Sequence, residues 1–368
     1  MVVAGRDDPD PAAADAGASP DAAAGAAGRG WRSVSIRDVA AAAGVSYQTV
    51  SRVINGHPSV KESTRELVRA TIDDLGFRPN RAARALAGGP AQSVTVVTPN
   101  TMLYGPRTAL QGIEQAARAA GFAVGVRVVE SAPRFAAEEI SDAVARTIEP
   151  GGAVIVIAYE EARTMALATV APQIPMAAMV EAPAGDEGSG KPWVWVDDRK
   201  AALEATCYLL GLGHRTVHYL AVPPLSHPTP RQAGWRGALE AVGAYVPDHI
   251  QCSWDPDSGY QAGQGLAANP EVTAVLCGND DLAVGVMRAM HEAGRAIPGE
   301  VSVVGFDDTP VSKFLPPALT TVRLDFAELG RSCFTLLHAL MEPETAMPMA
   351  AWPEPELIVR ESTGPPPL

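Results

Sequence analysis

The sequence is poor in cysteine and aromatic residues and contains no long apolar run. Its four cysteines are spread over 368 residues without a Cys-x-x-Cys pair or a nearby histidine. This spacing argues against a metal site or a disulfide framework and favours reduced, buried thiols. No apolar stretch approaches the roughly 18 residues that a transmembrane helix needs. We therefore expect a cytoplasmic protein with no cofactor, no metal and no membrane association.

Acidic residues outnumber basic ones, but the charge is unevenly distributed. The net charge is −13, yet residues 31–89 hold nine basic and five acidic side chains, a local charge of +4, which leaves −17 for the rest. A small basic module on an acidic body is typical of a regulator. Residues 1–32 are rich in Ala, Asp, Pro and Gly and lack the apolar stretch of a signal peptide. They are predicted to be a disordered tail.

Residues 33–79 are predicted to form a small all-α domain. A capping box of the form Ser-x-x-Asp begins at Ser35, and Gly44 ends the first helix. Ser46 can cap the second helix, and Gly76 ends the third, whose apolar face is predicted to include Leu75. The three predicted helices cover residues 35–43, 47–54 and 62–75.

Two helices joined by a tight turn, the second polar on one side, are typical of a helix-turn-helix. Gln can bond adenine and Arg can bond guanine in the major groove. The side chains predicted to read bases are Tyr47, Gln48, Ser51 and Arg52. Those suited to phosphates, which position a protein without reading sequence, are Arg32, Arg37, Lys61 and Arg81. An ordinary three-helix bundle with a solvated charged face is the alternative at this point.

From residue 91 onward, short β-branched runs alternate with helical stretches. The predicted strands are 94–98, 124–129, 154–157, 217–221, 274–277, 301–304 and 357–360. The predicted helices are 108–120, 200–212, 281–293 and 327–340. Such alternation favours parallel sheets covered on both faces. About 270 residues of it exceed one sheet, so two lobes are expected.

Three polar side chains follow predicted strands of the second half, where α/β sheets bind ligands. These are Arg231, Asn279 and Asp307. A guanidinium, an amide and a carboxylate in one crevice can grip the hydroxyls of a sugar, and Trp254 can supply an apolar plate. The neighbouring Asp280 also suits a helix cap, which the sequence alone favours over ligand contact.

Longer motifs resemble those of the LacI/GalR family of regulators. Residues 35–55 (SIRDVAAAAGVSYQTVSRVIN) and 76–86 (GFRPNRAARAL) resemble its DNA-binding signature. LGHR at 212–215, RQAGW at 231–235, GND at 278–280, VVGFDD at 303–308 and LTTVR at 319–323 resemble its effector-domain motifs. The resemblance implies a hinge helix and linker at 80–90, in which Asn80, Ala83 and Leu86 contact the minor groove and Leu86 is a wedge between base steps.

The same resemblance implies a two-lobed, periplasmic-binding-protein-like (type I) effector domain over residues 91–363. Its first lobe would span about 91–196 and 324–352, and its second about 197–323 and 353–363. It also implies sugar contacts by Arg231, Asn279 and Asp307 and aromatic contacts by Trp254 and Phe326. The first lobe departs from the pattern of lac-type members, with Ala158 in place of a polar residue and Glu181 as the nearest acid after the fourth strand.

The leading hypothesis is a repressor without catalytic activity that binds pseudo-palindromic double-stranded operator DNA as a homodimer and is controlled by a carbohydrate. The sequence has no C-terminal heptad repeat that could build a four-helix bundle, so a dimer is expected rather than a larger assembly. A nucleobase or another metabolite acting as corepressor is the second candidate effector. A sugar-binding transport protein would have no use for residues 47–52. A glycosidase would need an acid pair, and adjacent acids rarely form one.

Overall fold

The computed structural model of the chain describes residues 34–54, 56–77, 93–98, 100–128, 152–157, 174–180, 191–223, 229–342 and 353–367. The chain divides into two compact units, residues 1–87 and residues 88–368. The first unit contains the short helices and the second contains the sheets. This division agrees with the predicted fold class, an all-α headpiece followed by an α/β body.

The first unit packs three helices around a small apolar core. They are α1 (Ile36–Ala42), α2 (Tyr47–Ile54) and α3 (Glu62–Leu75). The predicted capping box is confirmed, because Ser35 and Asp38 each accept a hydrogen bond from the other's backbone amide. Gly44 takes a left-handed backbone (φ 64°) and turns the chain from α1 toward α2. Val39, Val50 and Val68 meet in the core.

The end of α3 differs from the sequence prediction. Leu75 was expected on the apolar face, but it is 38 % exposed, and Phe77 is buried instead. The reason is the helix terminus: Gly76 adopts a left-handed conformation, and the Phe77 amide bonds back to the carbonyl of Ile72. This reversal returns the chain to the core one residue after the glycine.

The second unit holds two sheets. The first sheet, all parallel, has the strand order β2-β1-β3-β4-β5. Its strands are β1 (Ser93–Thr98), β2 (Ala123–Val128), β3 (Ala153–Ile157), β4 (Met176–Met179) and β5 (Trp193–Val194). The second sheet has the order β7-β6-β8-β9-β10-β11. Its strands are β6 (His218–Ala221), β7 (Ile250–Gln251), β8 (Ala274–Cys277), β9 (Ser302–Asp307), β10 (Thr320–Arg323) and β11 (Glu356–Ile358).

Both sheets repeat one topology that the sequence did not reveal as a repeat. In each, the second strand lies outside the first, and the third lies on the first strand's other side. The order in which successive strands join the sheet therefore reverses beside β1 in one lobe and beside β6 in the other. Ligands of such sheets bind at the carboxyl ends of the strands near that point. The predicted parallel sheets are confirmed, with one antiparallel pair at the edge of the second sheet, where β11 pairs with β10.

The helices of the second unit connect and cover these strands. They are α4 (Tyr104–Ala119), α5 (Asp198–Gly211), α6 (Pro230–Ala241), α7 (Pro256–Ala267), α8 (Asp280–Glu292) and α9 (Phe326–Met341). The α9 helix follows β10 of the second sheet but packs on α4 and on β3 and β4 of the first. The chain thus crosses between lobes after β5 and again after β10. Among the described helices, none has the length and apolarity needed to span a bilayer.

Candidate functional site

A cleft lies between the carboxyl ends of the two sheets, and together with the solvent space at its open side it encloses about 570 Å³. Its walls are mostly apolar, with a few polar side chains. The lining residues are Leu103, Gly105, Pro106, Asp198, Val222, Pro223, Thr229, Pro230, Arg231, Trp254, Asp307 and Phe326.

Arg231 is the cationic centre of this cleft. Its Nε lies 3.2 Å from an Asp198 carboxylate oxygen, its Nη1 donates to the carbonyl of Gly278, and its Nη2 lies 3.9 Å from Asp307 Oδ1. The guanidinium also lies over the ring of Phe306, 4.3 Å from its centroid. Burial acts to lower the pKa of Arg231, but the two carboxylates outweigh it, so the pKa rises and the charge is fixed.

Asp307 combines burial with an unusual backbone. It is the last residue of β9 and has a backbone φ of 107°, which residues other than glycine rarely adopt. Its side chain is 13 % exposed and accepts no hydrogen bond from any described residue. Burial raises its pKa well above the ordinary value, Arg231 opposes this, and the nearby Asp280 and Asp198 add to it. Such an acceptor, strained and without a hydrogen-bond donor among the described residues, is typical of a ligand contact.

Asp198 and Phe326 enter the cleft from matching positions at the two crossovers. Each follows an aspartate, Asp197 or Asp325, whose carboxylate caps the helix that begins there. Each backbone amide also bonds to the carbonyl two residues earlier, at 2.9 Å in both turns. Phe326 meets Tyr104 of the first lobe edge to face, with centroids 6.2 Å apart. The crossovers therefore supply both an anion and an aromatic wall.

Asn279 does not line the cleft. It is 4 % exposed, and its amide oxygen accepts from the backbone of Leu282, which makes it the cap of α8. Its Nδ2 donates to the carbonyl of Trp254 at 3.0 Å. The residue that caps α8 is therefore Asn279, one residue before the predicted Asp280. Asn279 was predicted to contact the ligand, but its side chain instead bonds to the backbone of Trp254.

In the first unit, the helix α2 exposes the polar side chains predicted to read bases. Tyr47 is 53 % exposed, Gln48 and Arg52 are exposed, and Ser51 is half-buried. Val50 and Val53 on the opposite side are buried in the core. The face is therefore free to enter a groove without loss of core packing.

Comparisons with known proteins agree with both units. Residues 35–80 match the model of bacterial regulatory proteins of the lacI family, and residues 206–363 match a periplasmic binding protein-like domain. The lactose operon repressor of Escherichia coli is 32 % identical over 84 % of this chain and 85 % of its own length. The chain belongs to the lacI family.

Solved structures of this family extend the likeness to the fold. A lac repressor dimer bound to operator and the anti-inducer ONPF superposes with a TM-score of 0.80 at 30 % identity, covering 90 % of this chain and 100 % of that one. A complex of the regulator CelR with cellobiose gives 0.63 at 27 % identity, over 89 % and 99 % of the chains. As a lacI-family member, the chain is a DNA-binding transcriptional regulator and not an enzyme.

The predicted site residues differ in where the structure places them. The structure brings four predicted effector residues, Arg231, Trp254, Asp307 and Phe326, to one cleft. Of the predicted phosphate contacts, Arg37 and Lys61 are exposed. The remaining predicted site residues lie outside the described residues: Arg32, Asn80, Arg81, Ala83, Leu86 and Glu181. Sequence reasoning missed Asp198, because an acid in the first turn of a helix is common for reasons of the helix dipole alone.

The backbone strain at Asp307 is testable by two substitutions that remove the same carboxylate. Gly accepts φ 107° at no steric cost, whereas Ala does not. We expect the free energy of unfolding of Asp307→Gly to be about 1 kcal/mol higher than that of Asp307→Ala. This difference already allows for the greater entropy that glycine gives the unfolded chain. Chemical denaturation followed by fluorescence measures the difference. An Asp307→Ala protein as stable as the glycine variant would show that no strain is stored there.

Proposed function

We propose that this regulator is a repressor that binds a pseudo-palindromic operator as a homodimer and is controlled by a neutral sugar in the cleft around Arg231. Two headpieces are needed to read a two-fold site. The solved lac repressor dimer on operator supports the same arrangement here. Arg231, Asp307, Trp254 and Phe326 are the proposed ligand contacts, with Asp198 beside them.

The charge balance of the cleft carries the choice of ligand. One guanidinium faces two carboxyl groups, Asp198 and Asp307, so the cleft offers no surplus positive charge to attract an anionic ligand. A neutral polyol can instead donate to Asp307 and accept from Arg231. The apolar walls at Trp254 and Phe326 suit the C–H faces of a pyranose ring. The CelR complex with cellobiose supports a sugar within the family.

A nucleobase is the second candidate, because two aromatic side chains in one cleft can also stack on a purine. A regulator of this kind would use the ligand as corepressor, and binding would strengthen the grip on DNA. The sign of control depends on which lobe arrangement the ligand prefers.

The effector proposal predicts that Arg231→Ala and Asp307→Asn make repressors that no longer respond to sugar. Loss of one charge-assisted partner among side chains that are only 13 % exposed costs about 1–3 kcal/mol, or one to two decades in affinity. Operator affinity without sugar should stay nearly unchanged, because the coupling is lost only through an empty site.

The DNA that the purified protein binds is first captured and sequenced to identify the operator. Binding of each variant to that operator is then measured while galactose, lactose or cellobiose is added. Arg236→Ala is the control, since Arg236 lies on the same helix but is exposed and pairs with Glu240. A variant at Arg231 that responds like the parent would refute the site. One that fails to bind operator without sugar would show a structural role instead.

The DNA-reading proposal assigns Tyr47, Gln48, Ser51 and Arg52 to bases, and Arg37 and Lys61 to phosphates. From the sequence alone, Arg32 and Arg81 join the phosphate contacts, and Asn80, Ala83 and Leu86 form the minor-groove hinge.

Arg52→Ala should weaken operator binding by about 1–3 kcal/mol and binding to random DNA little. Lys61→Ala should weaken both alike and reduce the salt slope by about one ion. Titrations of both variants on both DNAs, over a range of salt, measure this contrast. Equal losses on the two DNAs for Arg52→Ala would contradict its assignment to a base.

A further inference from the structure

The carboxylate of Asp280 is the most heavily hydrogen-bonded acid of the second lobe among the described residues. It is 1 % exposed and accepts from the Thr309 amide at 2.7 Å and the Thr309 hydroxyl at 3.1 Å. It also accepts from the hydroxyls of Ser312 and Thr321, both at 2.5 Å. A buried carboxylate is costly unless its oxygens are satisfied. These four donors satisfy it without a cation, and three of them belong to the turn that follows β9.

The sheet leaves room for this contact. A Cβ atom at Gly305, in β9, would lie 2.2 Å from Asp280 Oδ1. The side chain of Asp280 therefore fills the space that a larger residue at Gly305 would need. It reaches from the start of α8 to the far end of β9, two residues before Asp307 leaves the sheet.

The turn that Asp280 holds is strained. Asp307 and Asp308 take left-handed backbone angles in succession, φ 107° and φ 52°. Each such residue costs on the order of 1–3 kcal/mol and persists only where the surroundings enforce it. Asp308 is tied to Arg323 at 2.8 Å and to Arg360 at 2.5 Å. Beyond it, Thr309 is tied to Asp280, so the strained pair is anchored at Asp308 itself and at the residue that follows it.

We propose that Asp280 is a positioning residue for the effector site: by anchoring Thr309 and Ser312, it keeps the strained backbone that turns the Asp307 carboxylate into the cleft. Asp280 does not line the cleft itself. The inference rests on the proposed role of Asp307 as a ligand contact. The two roles differ, because Asp307 would contact the ligand, whereas Asp280 would hold the backbone in place before any ligand binds.

The test compares Asp280→Ala, Asp280→Asn and Asp281→Ala in the full chain. Asn keeps one oxygen that can accept from Thr309 and Ser312, so it should rescue the turn. Asp281 is the matched control, because it adds the same charge to the first turn of α8 but bonds to no described residue of the turn. Hydrogen–deuterium exchange of residues 307–312, without any sugar, is the first readout.

Asp280→Ala should speed exchange in residues 307–312 about tenfold or more, as expected when a buried partner is lost. The Asn variant and the Asp281→Ala control should stay close to the parent. An unchanged turn in Asp280→Ala would overturn the proposal. So would faster exchange of equal size across the whole second lobe, since that would mark general destabilisation.

The second readout is calorimetric binding of galactose, lactose and cellobiose to the same proteins. For any of these sugars that the parent binds, Asp280→Ala should bind at least about tenfold more weakly, and Asp280→Asn should recover most of the affinity. Equal affinity of the Ala variant and the parent would overturn the proposal. If the parent binds none of the three, the choice of these sugars fails, while the exchange result still decides the role of Asp280.

Discussion

The cleft depends on one buried interaction, the placement of the Arg231 guanidinium between Asp198 and Asp307. The arginine lies in the second lobe, and Asp198 is the first residue after a crossover. Phe326 occupies the same position at the other described crossover, so two of the side chains that line the cleft stand where the chain passes between the lobes. A ligand that contacts Arg231 and Phe326 together would therefore bias the lobe arrangement, which is the requirement for allosteric control.

Much of the fold could be predicted from the sequence because its signals are local. The bounds of α2 and α3 agree with the predicted ranges, since caps and glycines end helices within a few residues. The β-branched runs predicted seven of the described strands, but they missed β4, β5, β7 and β10. The predicted strand 301–304 was too short, however, because β9 continues through glycine to Asp307. That extension is what brings Asp307 to the rim of the cleft.

The rest could not be predicted because it depends on contacts distant in sequence. Nothing near Asp198 indicates that it pairs with Arg231, 33 residues away. Asn279 was expected to touch ligand, but the amide is used by α8 and by Trp254. The left-handed turn at Asp307 contains no glycine, and its support comes from Asp280, Arg323 and Arg360. Strain of this kind becomes visible only when its supports are known.

The central claim is that the Arg231 cleft receives a neutral sugar. Thermal unfolding of the full chain with galactose, lactose and cellobiose, compared with adenine, guanine and hypoxanthine at equal concentrations, tests it most directly. A ligand at about 100 times its Kd stabilises the folded protein by about 2.7 kcal/mol, which gives a clear rise in Tm. We expect such a rise with at least one sugar for the parent and none for Arg231→Ala. A rise with nucleobases alone, or a sugar-induced rise that persists in Arg231→Ala, would contradict it.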